Sequence, residues 1–139
     1  MNNSNTPQKL RIAIAGLGFG KKIHLEALKE SEYLIPTAIY HYKKEKGPSL
    51  EKDTGLNFYN DWEELVKSKE IDGIIIATSP ESRFKLAKEA LKNNKHLLLE
   101  KPVALTSEEI EELQRISLTN NLSVCVDFEY RAVPLFLQT

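Results

Sequence analysis

Residues 12–24 read IAIAGLGFGKKIH. A short run of small and β-branched apolar residues passes directly into Gly16, Gly18 and Gly20, and then into Lys21 and Lys22. A run that is apolar on both faces suits a strand covered from both sides. A chain leaving such a strand for a helix turns sharply, often through backbone angles that glycine adopts without steric cost. A glycine at the second position also lets a ligand approach the main chain. The N–H groups of the helix start gather partial positive charge there. The stretch therefore predicts a strand, a bend and a helix, with room for an anionic group at the bend.

The same alternation continues along the chain. Apolar runs occur at Leu10–Ala15, Pro36–His41, Gly73–Thr78, His96–Leu99 and Ser123–Phe128, with a weaker one at Leu56–Tyr59. Helical spacing links Ile23, Ala27 and Leu28, then Trp62, Leu65 and Val66 behind Asn60 or Asp61, then Phe84, Ala87 and Leu91. Ser79 is placed to cap this third helix, with Pro80 in its first position. Thr106-Ser-Glu-Glu109 reads as a capping box for a fourth helix whose Ile110, Leu113 and Ile116 face inward. Asn93-Asn94 and Asn120-Asn121 sit where helices stop, because Asn tolerates left-handed angles. Residues 43–53 are the most polar stretch and read as a loop with a short exposed helix. Strands and helices alternating at this spacing give right-handed βαβ units. The expected fold class is α/β, a Rossmann-type doubly wound parallel sheet with helices on both faces.

At 139 residues the chain suffices for one domain. Residues 1–8 read as a flexible lead-in, 9–128 as the domain, and 129–139 as the start of a linker into a further domain. Nineteen Lys and Arg against 20 Asp and Glu leave a formal charge of −1, which argues against nucleic-acid and membrane-surface partners. No apolar run reaches the roughly 18 residues of a membrane span, and residues 1–9 have no signal-peptide core. A cytoplasmic location is the default expectation. The single Cys125 cannot form an internal disulfide; it lies in an apolar run and reads as core, as does Trp62.

A glycine cluster after a first strand is the place where a dinucleotide diphosphate binds. The usual spacing is G-x-G-x-x-G; here Lys21 holds the third small position and Gly20 comes one residue early. Gly16, Gly18, Phe19, Gly20 and Lys21 are the candidate phosphate loop. The end of the second strand reads Tyr40-His41-Tyr42-Lys43-Lys44, with no carboxylate before Glu45. A carboxylate there would hold the ribose 2′-hydroxyl of NAD; its absence, with Lys43 or Lys44 available to a 2′-phosphate, favours NADP over NAD. His41 is available to stack beside adenine. No metal site is expected.

Further motifs fall in a recognisable order. Glu100-Lys101-Pro102 ends the fifth strand, Ala77-Thr78-Ser79-Pro80 follows the fourth, His24 follows the glycine loop, and Phe128, Arg131 and Pro134 leave the domain. Together they resemble the Gfo/Idh/MocA family of sugar and polyol dehydrogenases, over about residues 9 to 136. The resemblance implies an NAD(P)-binding Rossmann domain, a separate substrate domain, and hydride transfer between the nicotinamide and a sugar, polyol or related carbonyl compound. It implies that Lys101 lies near nicotinamide and substrate, hydrogen-bonding a substrate oxygen or helping a proton move. By the same resemblance Glu100 fixes the ribose or the lysine, and Pro102 shapes the turn, with a cis Lys101–Pro102 bond. Thr78, Ser79 and Pro80 join the cofactor site. His24 reads as a packing or capping residue. Arg83 stands where many relatives carry histidine and reads as a surface helix residue.

The substrate half of such an enzyme is not in this sequence. Three readings follow: the cofactor half of an oxidoreductase, a stand-alone dinucleotide-binding or redox-sensing module, or another Rossmann-like protein that binds S-adenosylmethionine. A sugar-like substrate is expected only with the missing domain, and the apolar tail at residues 132–139 is open to self-association.

Overall fold

The run Leu10–Ala15 forms β1, the strand around which the sheet is built. The computed structural model of the chain describes residues 8–129. The elements follow as α1 (Leu25–Glu30), β2 (Leu34–Tyr40), α2 (Gly47–Thr54), β3 (Asn57–Tyr59), α3 (Trp62–Lys67), β4 (Gly73–Ile76), α4 (Pro80–Lys92), β5 (His96–Glu100), α5 (Ser107–Thr119) and β6 (Val124–Asp127). A π-helical turn, Gly20–His24, precedes α1, and a 3-10 turn, Lys44–Lys46, precedes α2. The sheet is parallel, with strand order β3-β2-β1-β4-β5-β6. The order reverses between β1 and β4, which opens a crevice at the strands' C-terminal ends.

The two faces of the sheet hold two cores. Ala13, Ala15, Ala38, Ile74, Ile76, Leu97 and Leu99 meet α3, α4 and α5 on one face. Ile12, Ile14, Ile39 and Ile75 meet Leu25, Leu28 and Leu50 from α1 and α2 on the other. Successive residues of β1 serve opposite cores, so the strand is apolar throughout. Pro36 lies inside β2 although β2 is not an edge strand. The pairing steps from Ile12↔Pro36 to Ala13↔Ala38, which leaves Thr37 as a bulge. The ladder thus skips a position beside a residue that lacks an N–H. The Thr37 hydroxyl donates to Ile12 O at 3.3 Å.

The helix ends follow the sequence with exceptions. Asp61 caps α3, its Oδ1 accepting from Glu63 N at 2.8 Å and Glu64 N at 3.3 Å. Thr106 accepts from Glu109 N, but the Glu109 carboxylate accepts from Leu105 N, one residue short of the reciprocal capping box. Ser79 occupies the N-cap of α4 without accepting a capping bond through its side chain; its carbonyl instead accepts from Arg83 N at 3.1 Å. Asn94 and Asn121 take left-handed angles, φ 60° and 53°, as expected of helix stops.

Five burial expectations are corrected. Ile23 is 50% exposed and Ala27 is exposed, while His24, Leu25 and Leu28 face inward. The π-helical turn spans one more residue per hydrogen bond than an α-helix, and this moves the buried stripe along by one. Ile110 is also exposed, in the first turn of α5; farther along that helix Leu113, Ile116 and Ser117 are buried. Cys125 is exposed because β6 is the sheet's edge strand. Arg83, expected at the surface, is buried. The expected lead-in (residues 1–7 of it), the linker from residue 130 onward, and Arg131 and Pro134 lie outside the described residues.

Arg11 opens β1 by gripping Asp72, the residue before β4. Its Nε and Nη2 donate to the two carboxylate oxygens at 3.0 Å each, and its backbone N–H donates to Oδ2 at 2.8 Å. These bonds, the side-chain one first, hold the Asp72 carboxyl below its ordinary value of 3.8. The unfolded chain therefore binds this proton more tightly than the folded one. The stabilisation is complete above the ordinary value and is lost as pH falls through the depressed folded value. In Asp72→Asn, urea midpoints measured between pH 5 and 2.5 should fall less steeply with acid than in the wild type. An unchanged slope would remove Asp72 from the acid limb.

Candidate functional site: a cleft at the strand ends

The glycine bend sits at the C-terminal end of β1. Gly16 has φ 120°, and a Cβ there would collide with the main chain of Ala77. Gly20 packs against the sheet, where a Cβ would stand 3.0 Å from Ile14 Cγ2 and 3.3 Å from Ala77 Cβ. Gly20 thus takes the close-packing role that the usual spacing gives to the next residue, and Lys21 is left free to turn outward. Its Nζ reaches Asp53 Oδ2 of α2 at 3.1 Å. Gly18 is exposed, and a Cβ there would meet nothing within 4 Å. Among the described residues nothing accepts from the N–H groups of Gly18, Phe19 or Gly20. The bend is open at Gly18 and Phe19, and Lys21 turns away from it toward Asp53.

A cleft of about 550 Å³ opens beside Gly16 and Leu17. The ends of β2 and β4 line it through Tyr40, His41, Tyr42, Ala77, Thr78 and Ser79, and α4 through Ser82 and Leu86. Gly16, His41, Thr78 and Ser79 are thus brought together as the sequence suggested, with Pro80 opening the adjoining helix. His41 stacks on Tyr42, centroids 4.6 Å apart and planes 24° apart. Its Nδ1 accepts from Lys43 N at 3.1 Å. Burial and then the positive charge of Lys46 keep the His41 imidazole below its ordinary value. Lys43 and Lys44 line neither this cleft nor the smaller one beyond Leu17. Lys43 Nζ lies 5.8 Å from the Tyr42 ring centroid instead.

Glu100, Lys101 and Pro102 follow at the end of β5, and the Lys101–Pro102 bond is cis. Glu100 is buried, and its Oε1 is 2.8 Å from His24 Nε2. Asp127 of β6 stands 3.6 Å from the same nitrogen. Burial, and then the Glu100 carboxylate, push the Asp127 carboxyl above its ordinary value. His24 is thus more than a packing residue: the π-helical turn aims it at two carboxylates from two strands. Lys101 Nζ pairs with Glu129 Oε1 at 2.8 Å, and this bond first of all holds the Glu129 carboxyl below its ordinary value.

Arg83 belongs to the site although its charge suggests the surface. Only 3% exposed, its guanidinium donates to the carbonyls of Thr78, Pro102 and Glu100, the last at 2.7 Å. It thereby joins the turn after β4 to the turn after β5. Its place was readable from spacing. Arg83, Ala87, Ala90 and Leu91 fall on one face of α4, so the arginine continues the buried stripe. Replacing it by Met, which fills similar space but cannot donate, should strand carbonyls in a buried site. That costs about 2–3 kcal/mol by the usual penalty for unmet buried acceptors. Urea unfolding should show it as a lower midpoint at constant slope. A loss below about 0.5 kcal/mol would mean that water replaces the guanidinium.

Residues 10–128 match the family described as an oxidoreductase family with an NAD-binding Rossmann fold, GFO/IDH/MocA. An uncharacterized oxidoreductase of Synechocystis is 37% identical over 126 residues, covering 90% of this chain and 34% of that protein. Myo-inositol 2-dehydrogenase of Thermotoga maritima is 27% identical over 105 residues, covering 75% of this chain and 31% of that protein. The crystal structure of an NAD-binding protein from Listeria innocua superposes with a TM-score of 0.86 at 27% identity, covering 94% of this chain and 38% of that one. The chain spans about a third of the length of these curated relatives. With the strand order, the open glycine notch and the Glu100-Lys101-Pro102 turn, these matches place the chain in the GFO/IDH/MocA oxidoreductase family, as its NAD-binding Rossmann part.

Proposed function

We propose that this chain is the cofactor-binding part of an oxidoreductase that moves a hydride between NADP and a sugar, polyol or related carbonyl compound. The observation that carries the reading is the notch at Gly18: unaccepted N–H groups, no side chain, and an open cleft alongside. Such a bend suits a diphosphate, which the N–H groups bind without a cation. The adenine half fits between His41 and Tyr42 on one side and Thr78 to Ser82 on the other. The end of β2 offers no carboxylate to a ribose 2′-hydroxyl, which supports NADP over NAD. The inositol substrate in the name of the Thermotoga relative supports a polyol or sugar.

When bound, the nicotinamide supplies or accepts the hydride. The chain's own residues deal with the proton and the geometry. The Lys101 ammonium stands at the strand ends, held by Glu129, and can donate a hydrogen bond to a substrate oxygen there. Glu100 is fixed at both ends: its side chain by His24, its carbonyl by Arg83. That anchorage sets where the next residue, Lys101, begins.

Thermal unfolding with added NADPH, NADH or S-adenosylmethionine tests the reading. A ligand present at 100 times its dissociation constant adds about 2.7 kcal/mol to the folded state. NADPH should raise the midpoint most, NADH less, and S-adenosylmethionine not at all. Stabilisation by S-adenosylmethionine alone would overturn the proposal.

A further inference from the structure

One half of one sheet face is bare. The register pairs Ile14, Ile75, Leu98 and Cys125 across β1, β4, β5 and β6, so all four share a side. On that side Leu25, Leu28 and Leu50 of α1 and α2 cover Ile14 and Ile39, while α3, α4 and α5 pack on the opposite side. Among the described residues no helix covers Cys125, and an apolar groove of about 250 Å³ remains, walled by Leu10, Ile12, Leu34, Ile75, Leu98 and Cys125. It opens near the entry ends of β4, β5 and β6, away from the cofactor cleft. Parallel sheets are covered on both faces as a rule, so this half-face calls for a cover.

We propose that residues 132–137 of the same chain lie in this groove and complete the covering of the sheet. Handedness supports that side. The connections from β1 to β2 to β3 cross the sheet one way and lie with α1 and α2; those from β4 to β5 to β6 cross the other way and lie opposite. A chain that leaves β6, the edge strand, and turns back toward β5 reverses direction and so comes over the bare side. Chemistry agrees: residues 132–137 read Ala-Val-Pro-Leu-Phe-Leu, with no charge among them. Length agrees too. From Phe128 back to Ser123 is about 17 Å of strand. Residues 130–139 span about 15 Å even when wound as a helix, and more when extended. Placing Leu135 and Phe136 there removes their side chains and the groove floor from water together. The tether favours this occupant over a second copy, because a short linker holds a segment at an effective concentration of order millimolar.

Cys125 is the chain's single cysteine and lies in the groove, so alkylation of its thiol by iodoacetamide reads the cover. In the native chain the reaction should run about tenfold slower than in the same chain unfolded by urea, at every protein concentration. The double variant Leu135→Ser with Phe136→Ser should lose that protection while circular dichroism shows it folded. Leu105→Ser with Leu118→Ser, which changes exposed apolar residues elsewhere, should keep it. A second measurement does not depend on the stability of a weakened variant. Leu135→Cys or Phe136→Cys, treated with oxidised glutathione, should form a disulfide to Cys125 within one chain, seen by mass after proteolysis. Native Cys125 reacting as fast as in urea overturns the proposal, and so does protection that survives in the Leu135 and Phe136 double variant. Protection that grows with protein concentration, or disulfides formed only between chains, gives the groove to a second copy and overturns it as well. The absence of an intrachain disulfide in both cysteine variants does the same.

Discussion

Gly16→Ala should destabilise the chain by about 4 kcal/mol, from two effects of similar size. A non-glycine residue at φ 120° is held in a sparsely populated region, at a cost of order 1–3 kcal/mol. The added Cβ also overlaps the carbonyl of Ala77, and forced overpacking costs typically 1–3 kcal/mol more. Ala77 cannot retreat cheaply, because its N–H donates to Ala15 O at 2.7 Å and so extends the pairing of β1 with β4. A domain of this kind is stable by about 5–15 kcal/mol, so the substitution removes much of the margin. Urea titration should show a lower midpoint with an unchanged slope. A loss under 1 kcal/mol would show that the bend relaxes and that its angles are not imposed by the neighbouring strand.

Gly18→Val should do the reverse: leave stability alone and abolish cofactor binding. A side chain here meets nothing within 4 Å, and the backbone is outside the left-handed region, so the folded state carries no strain. Fewer unfolded conformers would if anything favour folding. Yet the valine would stand over the N–H groups of Gly18, Phe19 and Gly20. Charge-assisted hydrogen bonds are worth about 1.5–3 kcal/mol each, and two of them lost correspond to about a thousandfold. Calorimetry should find NADPH affinity down by about that factor while the thermal midpoint without ligand stays within a few degrees. Retained binding would place the diphosphate elsewhere, and the proposed function would go with it.

Much of the fold can be read in the sequence because the strands are buried on both faces. Apolar runs such as LRIAIA and GIII carry no competing signal. The caps at Asp61 and Thr106 and the stops at Asn94 and Asn121 are local chemistry and equally readable. The motif at residues 100–102 and the glycine bend sit where their neighbours in sequence put them. What escapes is contact across the chain. The π-helical turn has no propensity signature, so α-helical spacing puts Ile23 in the core in place of His24 and Leu25. Cys125 is apolar enough for a core, but strand order alone puts β6 at the edge. Lys21 and Asp53 lie on separate elements, and only the packing of α2 beside the glycine bend makes them neighbours. Arg83 shows how composition misleads. Charge argues for the surface; the spacing with Ala87, Ala90 and Leu91 argues for the interior, and the carbonyls at two strand ends are what make burial of the guanidinium tolerable.

That guanidinium has a mechanical consequence. With one side chain hydrogen-bonded to the turns after β4 and β5, those turns are tied together at one side of the crevice. Any change in the crevice's width that keeps those three bonds intact therefore falls to the opposite side, the glycine bend and the segment between β2 and α2.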